Sequence, residues 1–184
     1  MKELLGSFLK GAGYRHVTFG TGAAALDAIT PRDVGCLLID LTLPDIPGLT
    51  LRHRLLAKGC RQPFIVVTGM QDVGIAVQAL QEGAVDLLQK PVNRARLLQS
   101  IARAVDRDCR RRCAESYYEK FTARERDVLK LVAQGQATKE IARRFAISPR
   151  TVDVHRHHIL KKMEMQSFAQ VLRVLNGHEE LVSD

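Results

Sequence analysis

A chain of 184 residues, 46% of them apolar, has room for one large domain or two small ones and is too hydrophobic for wholesale disorder. Its formal net charge of +8, with a pI near 9.6, favours an anionic partner, and on charge alone nucleic acid and an anionic membrane surface both qualify. No apolar run approaches the roughly 18 residues of a membrane span, no signal-peptide pattern opens the chain, and the lack of tryptophan argues against a stacking platform for single strands.

Up to about residue 105, short apolar runs alternate with amphipathic stretches. LLGSFLKGAG, AAALDAI, LTLRHRLLAKG and VGIAVQALQEGA have helical spacing, three of them with glycine stops. Between them HVTF (16–19), CLLID (36–40), PFIVVT (63–68) and VDLL (85–88) predict strands, being short, rich in Val, Ile, Leu or Phe, and bounded by Gly or Pro. Such alternation predicts βα units: a parallel sheet with helices on both faces, whose chemistry sits at the carboxyl ends of the strands. Asp40, Thr68 and Lys90 occupy three consecutive strand ends. Each has a plainer reading on its own, as a turn aspartate, a helix cap and a solvated lysine. Their convergence is what points to a site.

From Asn93 the pattern is helical, with Leu97, Leu98, Ile101 and Val105 on one face. The charged stretch 106–120 is expected to prolong that helix into a linker. Within it Cys109 and Cys113 flank Arg110, Arg111 and Arg112, a setting that lowers a thiol pKa, although inert linker cysteines are the plainer reading. The four cysteines, which include Cys36 and Cys60, lack CxxC spacing and read as reduced thiols of a cytosolic protein.

A second unit opens at Phe121. Thr122 with Glu125 forms a capping box for a helix that runs to a stop at Gly135. Thr138 is placed to cap KEIARRFA, and Ser148-Pro149 supplies an N-cap and N1 proline for RTVDVHRHHILKKM. A last short helix carries Phe168, Val171 and Leu172 at helical spacing, serving as a dimer contact or as ordinary core. Four short helices, the middle pair joined by a tight AIS turn, predict a helix-turn-helix domain. Winding 149–163 at about 100° per residue puts Val152, His155, Ile159 and Met163 on the core side. Arg150, Val154, His157 and Lys161 lie opposite, with Asp153 and His158 on the flanks. A helix reading a major groove needs cations near both ends and short or hydrogen-bonding groups between them. Arg150, Lys161, Lys139, Arg143 and Arg144 suit phosphates. Val154 suits a thymine methyl, Asp153 a cytosine amino group, and His157 a base edge or phosphate, with Thr151 beside them at the helix start. A solvated basic face is the bland alternative. His155 reads as a hydrogen-bonded core histidine.

FTARERDVLKLVAQGQATKEIARRFAISPRTVDVHRHHILKKM closely resembles the LuxR-type helix-turn-helix of bacterial transcription regulators. Upstream, LLIDLTLPDIPGL, VVTG and GAVDLLQKP resemble the receiver of two-component response regulators, and the two together resemble the NarL/FixJ subfamily. The resemblance implies an α/β, flavodoxin-like receiver over 1–105, a helical linker over 106–119 and an all-α DNA-binding domain over 120–184. It further implies that Asp40 accepts a phosphoryl group from a sensor histidine kinase, with Thr68 hydrogen-bonded to the phosphoryl oxygen and Lys90 paired with its charge. The Thr42 carbonyl joins Asp40 as a Mg²⁺ ligand, and the Lys90-Pro91 bond is expected cis. The implied protein is a cytoplasmic, homodimeric regulator that binds duplex DNA, works with RNA polymerase and avoids the membrane.

Two features depart from that family. Its receiver opens with an apolar strand ending in adjacent acids that complete the Mg²⁺ site, whereas MKELLGSFLKGAGYRHVTF matches only from the first helix onward. Asp40 and Thr42 alone are a poor magnesium site. About five buried residues, at roughly 1.5–3 kcal/mol each, are also forgone, so HVTF must pair with CLLID, expose a groove or borrow a strand. Either the stated start is an internal methionine, or the receiver is degenerate and acts in docking or dimerisation; the persistence of Asp40, Thr68 and Lys90 favours the first. Leu87 stands where the family places a switch aromatic. The competing readings are a phosphorylation-independent regulator with a pseudo-receiver and an enzyme on a flavodoxin-like sheet. The enzyme would want GxGxxG or GxxxxGK[ST], and neither occurs.

Overall fold

A computed structural model describes residues 2–69 and 73–175. The last residues of the expected helix-turn-helix domain, 176–184, lie outside the described residues. The chain divides into two compact units, Met1–Cys109 and Arg110–Asp184.

The first unit runs α1 (Lys2–Gly11), α2 (Gly22–Ala28), β1 (Leu37–Asp40), α3 (Gly48–Ala57), β2 (Phe64–Thr68), α4 (Val73–Gln81), β3 (Asp86–Gln89) and the start of α5 (Arg94–Glu119), whose residues from Arg110 onward belong to the second unit. The strands form one parallel sheet in the order β1-β2-β3, with Asp40 opposite Val67 and Thr68 opposite Gln89. The central strand β2 is buried at every position, which is why FIVVT is a continuous apolar run rather than an alternating one. Alternate side chains feed two cores. Phe64 and Val66 pack with Ile39, Leu55, Ala25 and Ala79 on the side of α2, α3 and α4, whereas Ile65 and Val67 pack with Leu88, Leu97, Ile101 and Leu5 on the side of α1 and α5. The helix α5 continues through the charged stretch to Glu119, as its sequence suggests.

HVTF is the expectation that fails: 16–19 joins no ladder among the described residues, and Val17 is 78% exposed. A strand exists by sharing its backbone donors and acceptors with a neighbour, and this segment has none. Tyr14 and Phe19 hold it instead, one packed on each core. The Leu37 and Leu41 amides donate to Pro63 and Val67 carbonyls of the β2 side, so the main-chain groups of Leu38 and Asp40 face outward on an open edge. Of the outcomes expected for this edge, HVTF does not pair with CLLID, and among the described residues β1 has no strand but β2 beside it. A separate open groove of about 820 Å³ lies between α1 and the HVTF segment, lined by Lys2, Gly6, Lys10, His16 and Thr18 among others.

The second unit contains α6 (Ala123–Ala133), α7 (Thr138–Arg144), α8 (Pro149–Met163) and α9 (Phe168–Leu175) around a core of Phe121, Val128, Leu129, Ile141, Val152, Ile159, Met163, Val171 and Leu175. The Thr122–Glu125 capping box forms, Gly135 ends the α6 turn at φ +80°, and Ser148 Oγ accepts the Thr151 amide ahead of Pro149. The cap of α7 falls one residue earlier than expected. Ala137 is the N-cap, because the Glu140 carboxylate reaches back to its amide at 2.9 Å and Thr138 is taken into the first turn.

Candidate functional site

At the carboxyl end of β1 the chain must turn at once without leaving the sheet. The Leu41 amide still donates to Val67, and the Leu41 carbonyl then accepts the Gly48 amide at 3.0 Å, closing LTLPDIP into a loop pinned by a Thr42–Pro47 bridge. Gly48 presses on the Asp40 carbonyl, where a β-carbon would collide with backbone. Asp45 at the loop's tip accepts the Gly22 and Ala23 amides at 2.9 Å each, joining the loop to the start of α2. Those two amides hold its carboxyl below the usual carboxylate range.

Within this frame the Asp40 side chain is 24% exposed, with Oδ1 accepting the Thr42 amide at 3.0 Å and Oδ2 accepting the Lys90 ammonium at 2.7 Å. Lys90 is delivered by β3: its amide donates to the Thr68 carbonyl at 2.9 Å and its bond to Pro91 is cis. Thr68 lies at the same end of the central strand, 3% exposed, its hydroxyl donating to the Gly69 carbonyl. Asp40 and Lys90 are thus in direct contact, with Thr68 one strand-end away. Leu87 is half-buried in β3 against the α2–α3–α4 core.

Mg²⁺ demands near-octahedral oxygen coordination. Asp40 has both oxygens engaged, Asp45 is turned to α2, and no group of three His, Cys, Asp or Glu side chains suited to a metal exists among the described residues. Asp40 with the exposed Thr42 does not fit the ion by itself.

The strand's other end carries a residue that sequence reasoning passed over. Asp86 accepts Ser100 Oγ and Arg103 Nη2 at 2.5 Å and lies 3.6 Å from Arg96, fastening α5 to β3. Burial pushes its carboxyl up, but Ser100, the Leu87 amide and the two guanidiniums outweigh burial and hold it below the usual range.

In the second unit α8 turns Val152, Ile159 and Met163 into the core and leaves Arg150, Asp153, Val154, His157 and Lys161 exposed, with Thr151 half-buried. Val154 is 45% exposed, unusual for a valine on a helix that has a core to pack against. Lys139, Arg143 and Arg144 are exposed on α7. His155 differs from expectation: it is half-buried, and none of the described residues is hydrogen-bonded to it. Of the α9 residues read as dimer contact or ordinary core, Val171 is turned fully into the core. Phe168 and Leu172 stay half-buried at its margin.

Two fastenings of α8 went unforeseen. Arg156 lies 4.6 Å over the Phe168 ring and donates to Thr138 Oγ1, tying α7, α8 and α9 together. Lys162 donates to Glu125 Oε2 at 2.6 Å and to the Lys120 carbonyl at 3.0 Å, while Thr122 donates its amide to the same carboxylate. The capping box singled out Glu125, but nothing local signals a partner 37 residues on.

A parallel-sheet unit with an acid and a lysine joined at its strand ends, followed by a helix-turn-helix unit, defines a signal-receiving DNA-binding regulator. Residues 1–102 match the response regulator receiver domain, and residues 119–175 match the bacterial regulatory proteins of the luxR family. Over 181 residues the chain is 36% identical to the transcriptional regulatory protein FixJ of Azorhizobium caulinodans, covering 95% of this chain and 86% of that protein. It is 33% identical to nodulation protein W of Bradyrhizobium diazoefficiens, covering 95% and 80% respectively. The solved structure of the response regulator StyR superposes with a TM-score of 0.58 at 30% identity, over 96% of this chain and 92% of that one. The chain belongs to the FixJ/NarL-like response regulators, two-component transcription regulators that pair a receiver with a LuxR-type DNA-binding domain. Members of this family are DNA-binding partners of sensor kinases rather than enzymes, and their receivers typically bind Mg²⁺. No described helix is long and apolar enough to cross a membrane.

Proposed function

We propose that Asp40 is the phosphoryl acceptor of this regulator, with its partner kinase as donor and Thr68 and Lys90 as the groups that receive the new charge. The supporting observation is the 2.7 Å contact between Lys90 and Asp40 at the end of the sheet. Phosphoryl transfer is catalysed mainly by positioning and charge neutralisation, and a lysine already on the nucleophile supplies one cation for the equatorial oxygens. Thr68 lies near enough in the sheet for its hydroxyl to swing from the Gly69 carbonyl to a phosphoryl oxygen, with Leu87 packing behind the change. Asp40 and the Thr42 carbonyl form only part of an octahedral shell, so no step is assigned to Mg²⁺. Acetyl phosphate with Mg²⁺ is expected to give one phosphoryl adduct by intact mass, absent in Asp40→Asn. Failure of the parent chain to form it would favour the second reading, a phosphorylation-independent regulator whose receiver serves dimerisation or docking. The engagement of both Asp40 oxygens, with no group of three His, Cys, Asp or Glu side chains suited to a metal among the described residues, is what speaks for that reading.

Residues 1–105 act as receiver, 106–119 as helical linker and 120–184 as the DNA-binding domain of a cytoplasmic homodimer that addresses RNA polymerase, with Phe168 and Leu172 at the dimer contact. Phosphorylation shifts the population toward the DNA-competent dimer. Arg150, Lys161, Lys139, Arg143 and Arg144 hold phosphates, and Thr151, Asp153, Val154 and His157 face base edges or the adjoining backbone. Lys161→Ala should weaken binding evenly across sequences and lower the salt slope by about one. Val154→Ala should instead change base preference at one position, by about 1–3 kcal/mol at most. Titrating a panel of single-base duplex variants at several salt concentrations separates the two behaviours; identical profiles for both substitutions would remove this face from the groove.

A further inference from the structure

Three of the chain's six histidines fall within four successive positions of α8, and each has a different surrounding. His155 is half-buried against the unit. His158 is exposed, with Nδ1 3.8 Å from the Glu125 carboxylate, so a counter-anion is already at hand in the free protein. His157 is exposed one turn after Asp153 and one turn before Lys161, on the stripe that carries Arg150 and Val154. Resting on the DNA reading above, we infer that duplex binding is coupled to proton uptake at His157, so that the chain grips DNA more tightly as pH falls through the imidazole range.

The charges around His157 make DNA the decisive anion. On its own helix one anion, Asp153, stands against three cations, Arg150, Arg156 and Lys161, and the His158 ring lies 6.5 Å away. From α6 the acid that reaches α8 is Glu125, which is held by Lys162 and lies next to His158 rather than His157. From α7 come Lys139, Arg143 and Arg144, all cations, while Glu140 caps its own helix. The described part of α9 contributes Arg173. A duplex laid along this stripe puts phosphates beside the ring and reverses the balance. An opposite charge within hydrogen-bonding range favours a protonated group by roughly tenfold or more. Proton uptake of that size predicts binding about fourfold tighter near pH 6 than near pH 7.5. One added cation should also steepen the salt dependence by about one counterion.

The test uses the full chain and a duplex selected by that chain from a random-sequence library. Kd is read by anisotropy across the imidazole range, and proton uptake by calorimetry in two buffers of different ionisation heat. The expected result is tightening on acidification with net proton uptake, a response that His157→Gln flattens and that His16→Gln and His53→Gln preserve. A Kd independent of pH, or a response that survives in His157→Gln, overturns the inference while leaving the DNA reading intact. Loss of all duplex binding in the parent chain would overturn both.

Discussion

Glu125→Ala is expected to destabilise the DNA-binding unit by about 2–4 kcal/mol, the range for breaking a largely buried ion pair, reduced because the Lys162 side chain is 34% exposed. The carboxylate is 3% exposed and receives the Lys162 ammonium and the Thr122 amide. Alanine leaves an ammonium without its anion and a helix start without half of its capping box. Glu125→Gln keeps an acceptor for the Thr122 amide and should lose about half as much. Burial pushes the Glu125 carboxyl up, but Lys162 and the Thr122 amide and hydroxyl outweigh burial and hold it below the ordinary glutamate range. A carboxyl lowered by folding contributes stability that is present above its unfolded value, about 4.3, and is lost as pH falls through the folded one. The parent should therefore show an acid limb of unfolding that Glu125→Ala lacks. The chain has no tryptophan, and two of its three tyrosines, Tyr117 and Tyr118, pack against this unit's core, so tyrosine emission in a urea titration reports it. Equal midpoints for parent and Glu125→Ala would show that the pair contributes nothing.

The same residue shows how far local reading reaches. A capping box is a matter of four adjacent residues, so Thr122 and Glu125 were legible, as were Ser148-Pro149 and the inward set Val152, Ile159 and Met163. Whatever depends on a distant partner was not. Lys162 meets Glu125 across 37 residues, Arg156 meets Thr138 across 18, and Asp86 meets Arg103 across 17. HVTF failed for the same cause in reverse. Its β-branched and aromatic residues have strand propensity, but propensity without a neighbouring ladder makes no strand. At the proposed acceptor site the residues at the strand ends could be named from pattern, because apolar runs ending in a polar residue mark where strands stop. That Lys90 rests on Asp40 follows from parallel register, which brings the carboxyl ends of β1 and β3 to the same end of the sheet on either side of β2. His155 shows the limit of winding a helix on paper, because angle alone does not say how deep a side chain sits.

Gly48→Ala should cost the receiver unit about 1–3 kcal/mol, the usual penalty for forcing a methyl into a filled space. The added carbon would strike the Asp40 carbonyl oxygen and come within 3.0 Å of Ile39 Cγ2 and the Leu41 α-carbon. None of these is the free end of a long side chain: one is a strand carbonyl and another the α-carbon of the first loop residue, so relief requires β1 or the loop to move. Two other glycines calibrate the effect. At Gly22 the obstacle is the Ile46 side chain at 2.5 Å, which can change rotamer, so Gly22→Ala should cost less. At Gly74 in α4 nothing lies within 4 Å, so Gly74→Ala should be neutral or stabilising by up to about 1 kcal/mol through helix propensity. Hydrogen exchange at the β2 amides Ile65 to Val67 reads this unit without interference from the other. The chemical consequence is separable from the energetic one, because shifting the Asp40 carbonyl turns the side chain off Lys90 even where the unit stays folded. Gly48→Ala should then form the Asp40 phosphoryl adduct more slowly than Gly22→Ala at matched folded fraction. Parity between those two variants, in exchange and in adduct formation alike, would mean that the tight turn after β1 does not position the acceptor.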